Sequence, residues 1–569
     1  MSKKILFAIV ASAFLLQTFF AWADMRMLME KTMYDDAFYL KGIQNFVEGK
    51  GLSVDGVVET NGFQPLELFI IAPAFWLFKG NLFLPMHILL SVLGIFHILT
   101  VLLVWKIVML LTKNENAAHI SAFFYAFSPF AFILSLSGME QSIYVFFVSA
   151  SIYQYLKMRT NEKSAVSERN EYASASSMSD GKSGKVAESG FSAKNLAILG
   201  VLLGLAFLSR LDAVFLIAPL MLDMAYLSFR RKGGFAVTFK RILVSGAALA
   251  LVAFPWLLWS YFKFGALLPS SGQAIIFLTQ EWRYFNTHTS IFTIDYLIEL
   301  FKNVIQSFRV AVSLLVALKQ SVFLPNMILL GGIAGILVSG ALKNIFGFKS
   351  RLSKLSPVWF VFAYVLLAFF YYPLVQWLTY QRYYLFLILL AAIVFGFLFD
   401  ACLAIAGKFS ESMQRRSALF MGVLLAIGFA LSFASFWQDG LAPWQTELYD
   451  ATQWINANTP KDAVIAGFNT GITGYFTERT LVNLDGAVNN DAVAALKGRR
   501  MMAYLKERNV DYLVDYKTYV VGNGPYFGDA DYLKKLEPVY IAPINSNPFR
   551  TRLIPADSPV IVYRITYGN

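Results

Sequence analysis

The chain has 569 residues, 57% of them hydrophobic, 16% aromatic and only 15% charged, and its mean hydropathy is +0.56. Soluble domains carry about 25% charged and about 45–50% apolar residues, so a purely soluble protein is excluded. The net charge of +12 does not point to nucleic acid, because the basic residues lie in short loops between apolar runs, where they report membrane topology.

Lys3 and Lys4 precede an apolar run from Ile5 to about Ala23. Ala21-Trp22-Ala23 loosely resembles a signal-peptide cleavage site. The run is nevertheless long enough to span, since about 20 residues cross a bilayer, and a retained first helix with a cytoplasmic N-terminus is the favoured reading. The chain then emerges at Tyr34-Asp35-Asp36 into a first outer loop, 24–81. Within it, Pro65–Phe78 is short and holds Glu67 and Pro73, so it reads as an interfacial helix rather than a span.

Further spans are expected at Leu82–Leu111, His119–Leu136, Ser142–Leu156, Asn195–Leu208, Ala213–Leu227, Ile242–Tyr261, Phe323–Leu342, Pro357–Leu374, Leu385–Ile405 and Ala418–Phe436. That makes about eleven by hydropathy and loop charge. Residues 157–194 hold seven Lys/Arg and five Asp/Glu and are Ser-rich, which predicts a disordered cytoplasmic loop. Ser228–Arg241 has five Lys/Arg and no acid, and Lys343–Lys354 has four and no acid. Both fall inside in this scheme. Lys263–Lys319 is external with amphipathic pieces, and the C-terminus is outside.

From Trp437 onward, charge and turn residues rise. Helices are expected at Thr446–Asn456 and Ala492–Arg508, and strands at Ala463–Phe468, Thr480–Leu484 and Val510–Val514. The alternation predicts a small extracytoplasmic α/β domain, 437–569, with partly parallel strands, on a transmembrane part, 1–436. Gly467, Gly471 and Gly474 lack dinucleotide-fingerprint spacing and read as tight turns. Asp485, at a strand end, is read either as touching an acceptor or as a turn residue.

Cys402 is the only cysteine, and His87, His97, His119 and His288 show no ligand spacing, so neither a disulfide nor a Cys/His metal site is expected. The topology instead gathers polar residues on the outer face: Asp35, Asp36, Glu59, Asn61, Gln64, Glu140, Arg210, Asp212, Lys263, His288 and Arg382. Each alone has a plain structural reading. An aspartate caps a helix, Arg210–Asp212 is a local ion pair, Arg382 snorkels, and Glu140 caps the next helix. Converging at membrane depth, they are functional candidates.

The chain resembles the GT-C fold glycosyltransferases, polytopic enzymes using polyprenyl-phosphate sugars and similar to the protein mannosyltransferase, aminoarabinose transferase and arabinofuranosyltransferase superfamily. The carrying residues are Asp35-Asp36-Ala37-Phe38-Tyr39-Leu40, Gly49-Lys50-Gly51-Leu52, Thr60-Asn61-Gly62-Phe63-Gln64-Pro65-Leu66, Gly138-Met139-Glu140, Ser209-Arg210-Leu211-Asp212-Ala213, Gln381-Arg382-Tyr383-Tyr384 and Leu481-Val482-Asn483-Leu484-Asp485-Gly486. The chain departs from the pattern at Gln64, where relatives often carry His, at Glu67 (Trp) and at Gln141 (Thr).

The resemblance implies inverting sugar transfer from a polyprenyl phosphate to an acceptor hydroxyl of a glycan, glycolipid or protein, outside the plasma (inner) membrane. That chemistry needs a base, which Asp36 or Asp35 supplies. It needs charge at the leaving phosphate, for which Arg382 and Arg210 are candidates with Lys263 behind them. Glu140, Asp212, Asn61, Gln64 and Tyr383 complete the expected substrate-binding set. Asp35, Asp36 and Glu140 would offer hard oxygen ligands to Mg2+ or Mn2+, though the reading leans against a metal. A flippase of lipid-linked sugars would show repeated halves and broken midplane helices. No repeat is visible, and the polar residues cluster at one surface. A non-catalytic scaffold binding envelope polymers is the third reading, which the paired aspartates and convergent arginines oppose.

Overall fold

Backbone buried in hydrocarbon must satisfy its own hydrogen bonds, so long apolar runs fold as helices. The computed structural model describes residues 2–31, 37–176, 190–230, 234–287, 293–316, 357–375, 381–407, 410–440, 442–548, 550 and 554–567. Helices α1 to α4 cover Ser2–Ala21, Met25–Lys31, Ala37–Val47 and Pro65–Leu77. They are followed by α5 (Phe83–Thr112), α6 (Glu115–Phe127), α7 (Pro129–Leu134), α8 (Gln141–Ser176), α9 (Ala193–Ser209), α10 (Val214–Arg230) and α11 (Gly234–Phe264). Then come α12 (Ser270–Thr287), α13 (Ile294–Val316), α14 (Trp359–Val375), α15 (Leu385–Gly407) and α16 (Glu411–Asp439).

The protein is an α-helical polytopic membrane protein. All the expected spans fall on these helices except 323–342, which lies outside the described residues. Five described helices are long and apolar enough to cross unaided: Lys3–Ala21, Phe83–Thr112, Leu211–Arg230, Gly234–Phe264 and Arg382–Ala404. Helix α4 has 13 residues. That is about 20 Å at 1.5 Å per residue, short of a hydrocarbon core of about 30 Å. Its Leu68, Ile71 and Phe75 are buried while Phe69, Trp76 and Leu77 are exposed, as an interfacial helix requires.

Three local expectations are corrected. The span from His119 is broken at Ser128-Pro129 into α6 and α7, because proline disfavours helical backbone in the residue before it and cannot continue the ladder. Helix α8 continues past Leu156 to Ser176, so the first part of the 157–194 segment is helical rather than disordered. Its Arg159 Nη1 donates to Asp223 at 2.5 Å and to the Pro357 carbonyl at 3.0 Å. Arg241 in turn donates to Glu162 at 3.0 Å. Asp223 also accepts from Tyr155 at 2.6 Å and Trp359 at 2.5 Å. These charge-assisted bonds tie the helical extension to α10, α11 and α14. Third, Gly467, Gly471 and Gly474 do not make left-handed turns, since none has positive φ. Gly471 and Gly474 lie in a helix and Gly467 ends a strand, where a Cβ would come 2.5 Å from the Val514 carbonyl oxygen. Close packing is what selects glycine at that position.

The C-terminal unit begins with α17 (Gln445–Asn458). Strands β1 (Val464–Gly467), β2 (Thr480–Asn483), β3 (Tyr512–Tyr516), β4 (Leu536–Ile541) and β5 (Val560–Ile565) form a sheet of order β2-β1-β3-β5-β4. β1 pairs in parallel with β2 and β3, while β5 is antiparallel to β3 and β4. The expected helix Ala492–Arg508 is two helices, Asn490–Lys497 and Met501–Glu507, with Arg499 at φ +49 between them. The unit docks on the first loop through Arg508–Asp55 at 2.7 Å, Arg26–Asp450 at 2.9 Å and the Tyr475 hydroxyl on the Leu82 carbonyl at 2.5 Å.

Arg550 and Glu447 form a fully buried pair in this unit. Arg550 Nε and Nη2 donate to the carboxylate at 2.8 and 3.1 Å, and its remaining N–H groups reach the Pro555 and Ser558 carbonyls at 2.6 Å. Removing one partner leaves a buried charge uncompensated. Arg550→Met is expected to destabilise the protein by about 3–5 kcal/mol, read as a lowered unfolding midpoint in detergent. An unchanged midpoint would sink this account.

Candidate functional site

Four element ends meet at one point. Gly138, at φ +69, turns the chain so that Glu140 sits just before α8. After α9, Arg210 is extended (φ −158, ψ 134) and leads into a 3-10 turn, Leu211–Ala213. Tyr372 lies in the last turns of α14, and a second 3-10 turn, Gln381–Tyr384, carries Arg382 and Tyr383 into α15.

Arg210 is the centre. Its Nη1 donates to Glu140 Oε1 at 2.5 Å, its Nε to Asp212 Oδ1 at 3.1 Å, and its Nη2 to the Tyr372 hydroxyl at 3.3 Å. The Tyr372 hydroxyl donates onward to Asp212. The guanidinium lies 5.8 Å from the Tyr144 ring and 5.3 Å from the Tyr383 ring. Tyr144 is fixed by a hydroxyl contact to Tyr364 at 2.8 Å. Arg382 lies on the same Tyr383 ring, also at 5.3 Å, with Nη1 3.1 Å from Met139 Sδ and Nη2 3.5 Å from the Tyr383 hydroxyl. Tyr383 also stacks on Tyr372 at 4.9 Å.

Glu140, Arg210, Asp212, Arg382 and Tyr383 are thus brought together. Asp35 and Asp36 lie outside the described residues. Asn61 is placed differently. Its Nδ2 donates to Ser260 Oγ at 2.8 Å and to the Leu268 carbonyl at 3.2 Å, and its Oδ1 accepts from Ser270 N at 3.0 Å. Thr60 beside it donates to Asn490 at 2.8 Å. This is a joint between the first loop, the 265–270 segment and the C-terminal unit. Lys263 is half exposed and paired with Glu59. Gln64 is half buried at the N-cap of α4 and makes no capping hydrogen bond. Asp485 Oδ1 accepts from Ala487 N at 2.7 Å, the geometry of a turn.

Four further side chains matter here that were not in the expected substrate-binding set. Tyr372, in Tyr371-Tyr372-Pro373 at the end of an apolar run, carried the signal of an amphipathic aromatic at an interface. Tyr39 and Glu67 are buried, Glu67 completely. Burial, with the Glu140 and Glu67 carboxylates nearby, holds the Tyr39 phenol well above its ordinary range, against the pull of Arg210 and Arg382. Tyr39 stays neutral and able to donate. Gln141 is 1% exposed, and its amide atoms, with Glu140 Oε2, have no hydrogen-bond partner among the described residues. Buried polar atoms of this kind are satisfied by water or ligand.

Among the described residues there is no group of three or more His, Cys, Asp or Glu side chains placed to hold a metal ion. Glu140 offers one unmatched oxygen, but its other oxygen is committed to Arg210. Asp35 and Asp36, the other expected oxygen ligands, lie outside the described residues.

A family model described as a domain of unknown function (DUF8728) matches residues 439–563. No curated protein matches the chain. Among solved structures, the chain is similar to ArnT from Cupriavidus metallidurans bound to undecaprenyl phosphate, with TM-score 0.57, 11% identity, and coverage of 98% of this chain and 97% of that one. It is similar to the archaeal oligosaccharyltransferase AglB from Archaeoglobus fulgidus, in complex with an inhibitory peptide and a dolichol-phosphate, with TM-score 0.56, 14% identity, and coverage of 98% and 76%. The Archaeoglobus fulgidus oligosaccharyltransferase in complex with Zn and sulfate matches at TM-score 0.53, 16% identity, and coverage of 98% and 75%. The chain has the GT-C fold of these proteins.

Tyr372→Phe and Asp212→Asn should be coupled through their shared hydrogen bond and through Arg210. A double-mutant cycle on unfolding free energy is expected to give about 0.5–3 kcal/mol of interaction. Strict additivity would contradict the network.

Proposed function

We propose that the protein is a membrane glycosyltransferase that moves a sugar from a polyprenyl-phosphate donor to an acceptor hydroxyl at the outer face of the membrane. The observation that carries this reading is a GT-C fold over nearly the whole chain with a buried arginine, a half-buried arginine and carboxylates at one bundle end. Residues 1–436 form the catalytic part, and residues 437–569 an extracytoplasmic part docked on the first loop.

The acceptor oxygen attacks the anomeric carbon as the bond from that carbon to the phosphate oxygen breaks. The configuration inverts, and the electron pair leaves on the polyprenyl phosphate. The acceptor proton passes to Asp36 or Asp35, three or four residues before the buried Tyr39 in sequence. Arg382 receives the leaving phosphate. Its guanidinium lies beside the Tyr383 ring at the mouth of the Arg210 network, and its planar fork matches phosphate. Arg210 is bound on three sides and acts as a positioning residue that holds Glu140 and Asp212. Glu140 Oε2 and Tyr39 bind hydroxyls of the sugar or acceptor. The Zn in the similar oligosaccharyltransferase keeps a divalent ion in view, with Asp35, Asp36 and Glu140 as its ligands, but no step here is routed through it.

The test is transfer by the purified protein in vesicles from radiolabelled polyprenyl-phosphate sugars. Asp36→Asn or Asp35→Asn is expected to lower the rate by about 10²–10⁴. Wild-type rates in both folded variants would remove the base from the scheme. Arg382→Lys should lose about 10²–10³ in kcat, the scale for losing a donor at developing negative charge. A comparable loss in Arg210→Lys accompanied by a lowered unfolding midpoint would separate positioning from phosphate contact.

A further inference from the structure

We infer that α13 (Ile294–Val316) lies flat in the lipid interface, its partner being the headgroup–acyl boundary of the bilayer, and that it thereby sets the depth of the turn carrying Arg382. Its residues sort into three strips that run side by side. Ile294, Leu297, Ile298, Phe301, Ile305 and Phe308 are all exposed, from 38% to 77%. At about 100° per residue they fill one arc of roughly 100°. Asp295, Lys302, Gln306 and Arg309 are exposed on the adjoining arc, where Lys302 pairs with Glu299 at 2.6 Å. On the third side Ser307 and Val310 are buried, and this helix packs against α14, α15 and the Gln381–Tyr384 turn.

An apolar and a charged strip running side by side from 294 to 309, with a side packed on protein, is what an interfacial helix needs. A vertical span would carry the charged strip through hydrocarbon, at about 2.5–3.5 kcal/mol per central charge on insertion scales. A helix in water would expose six large apolar side chains in one patch. The apolar strip is instead continuous with a bilayer surface the fold already has. The adjoining α14 exposes Leu366, Leu367, Phe370 and Leu374, and α11 exposes Leu251, Phe254 and Phe262. Because the buried side of α13 rests on the 381–384 turn, anchoring α13 at headgroup level holds Arg382 at the depth of lipid phosphates. The placement itself does not depend on the glycosyltransferase reading.

The experiment reads depth rather than activity. Cys402 is the only cysteine and is buried, so a Cys402→Ser background accepts single labels. An environment-sensitive fluorophore is placed at Phe301→Cys or Leu297→Cys on the apolar strip, and at Lys302→Cys on the charged one, in the full chain reconstituted into phosphatidylcholine–phosphatidylglycerol vesicles. Labels at 297 and 301 are expected to be quenched several-fold more by lipids spin-labelled near the glycerol end than by lipids labelled near the chain terminus, and to be shielded from iodide. The 302 label should be open to iodide. Strong iodide quenching at 297 and 301 would place the strip in water. Maximal quenching there by chain-terminus labels would make α13 a span. Shielding from both quenchers would mean a protein covers it. Each of these three outcomes overturns the inference.

Discussion

The structure depends on keeping the Arg210 charge buried. A guanidinium taken out of water is tolerated only where oppositely charged and hydrogen-bonding partners replace the lost hydration. Arg210 finds them on three separate pieces of chain: Glu140 before α8, Asp212 in the turn before α10, and Tyr372 near the end of α14. Apolar packing lets bundle helices slide against one another with little change in contact energy. A charge with several fixed partners does not. The network therefore sets the relative heights of four helix ends, and the Tyr383 ring, shared with Arg382, extends that constraint to α15.

The same logic, with neutral groups, seats the C-terminal unit. Asn61 uses both ends of its amide, and Thr60 reaches Asn490. Gly62 lies so close to the Ala487 carbonyl that no side chain fits between them. Asn61-Gly62 thus carries the resemblance to GT-C enzymes for a packing reason. A residue with every hydrogen-bonding atom committed to the protein positions the loop that follows Asp35 and Asp36, and has little left for substrate.

The helices were legible because hydrocarbon admits few alternatives, so apolar length and loop charge nearly determine them. The departures arose where local chemistry overrode hydropathy. Pro129 breaks a run that is apolar throughout. Arg159 and Glu162 continue α8 into a segment whose composition reads as disordered, because their partners on α10 and α11 are far away in sequence. In the C-terminal unit, the parallel strands β1 and β2 were readable and β3 was displaced by two residues. β4 and β5 were not readable, since the antiparallel pairing of β5 with β3 and of β4 with β5 is a tertiary outcome. Glu140, Arg210, Asp212 and Arg382 were recognisable as ionisable residues at membrane depth. Tyr39 and Glu67 were noted only through the resemblance and Tyr372 not at all, because one aromatic or one acid in an apolar protein does not reveal a site role until its neighbours are known.

Charge balance separates the two arginines. Arg210 with Glu140 and Asp212 sums to one formal negative charge. A phosphate approaching that cluster alone would be repelled, and the repulsion is strong where water is scarce. Arg382 supplies the missing positive charge. It shares with Arg210 the Tyr383 ring, whose π-face attracts both cations. In the proposed function Arg210 holds the network and Arg382 is the arginine that meets the phosphate. With α13 beneath its turn, the second arginine also stands at the level where a lipid phosphate would arrive.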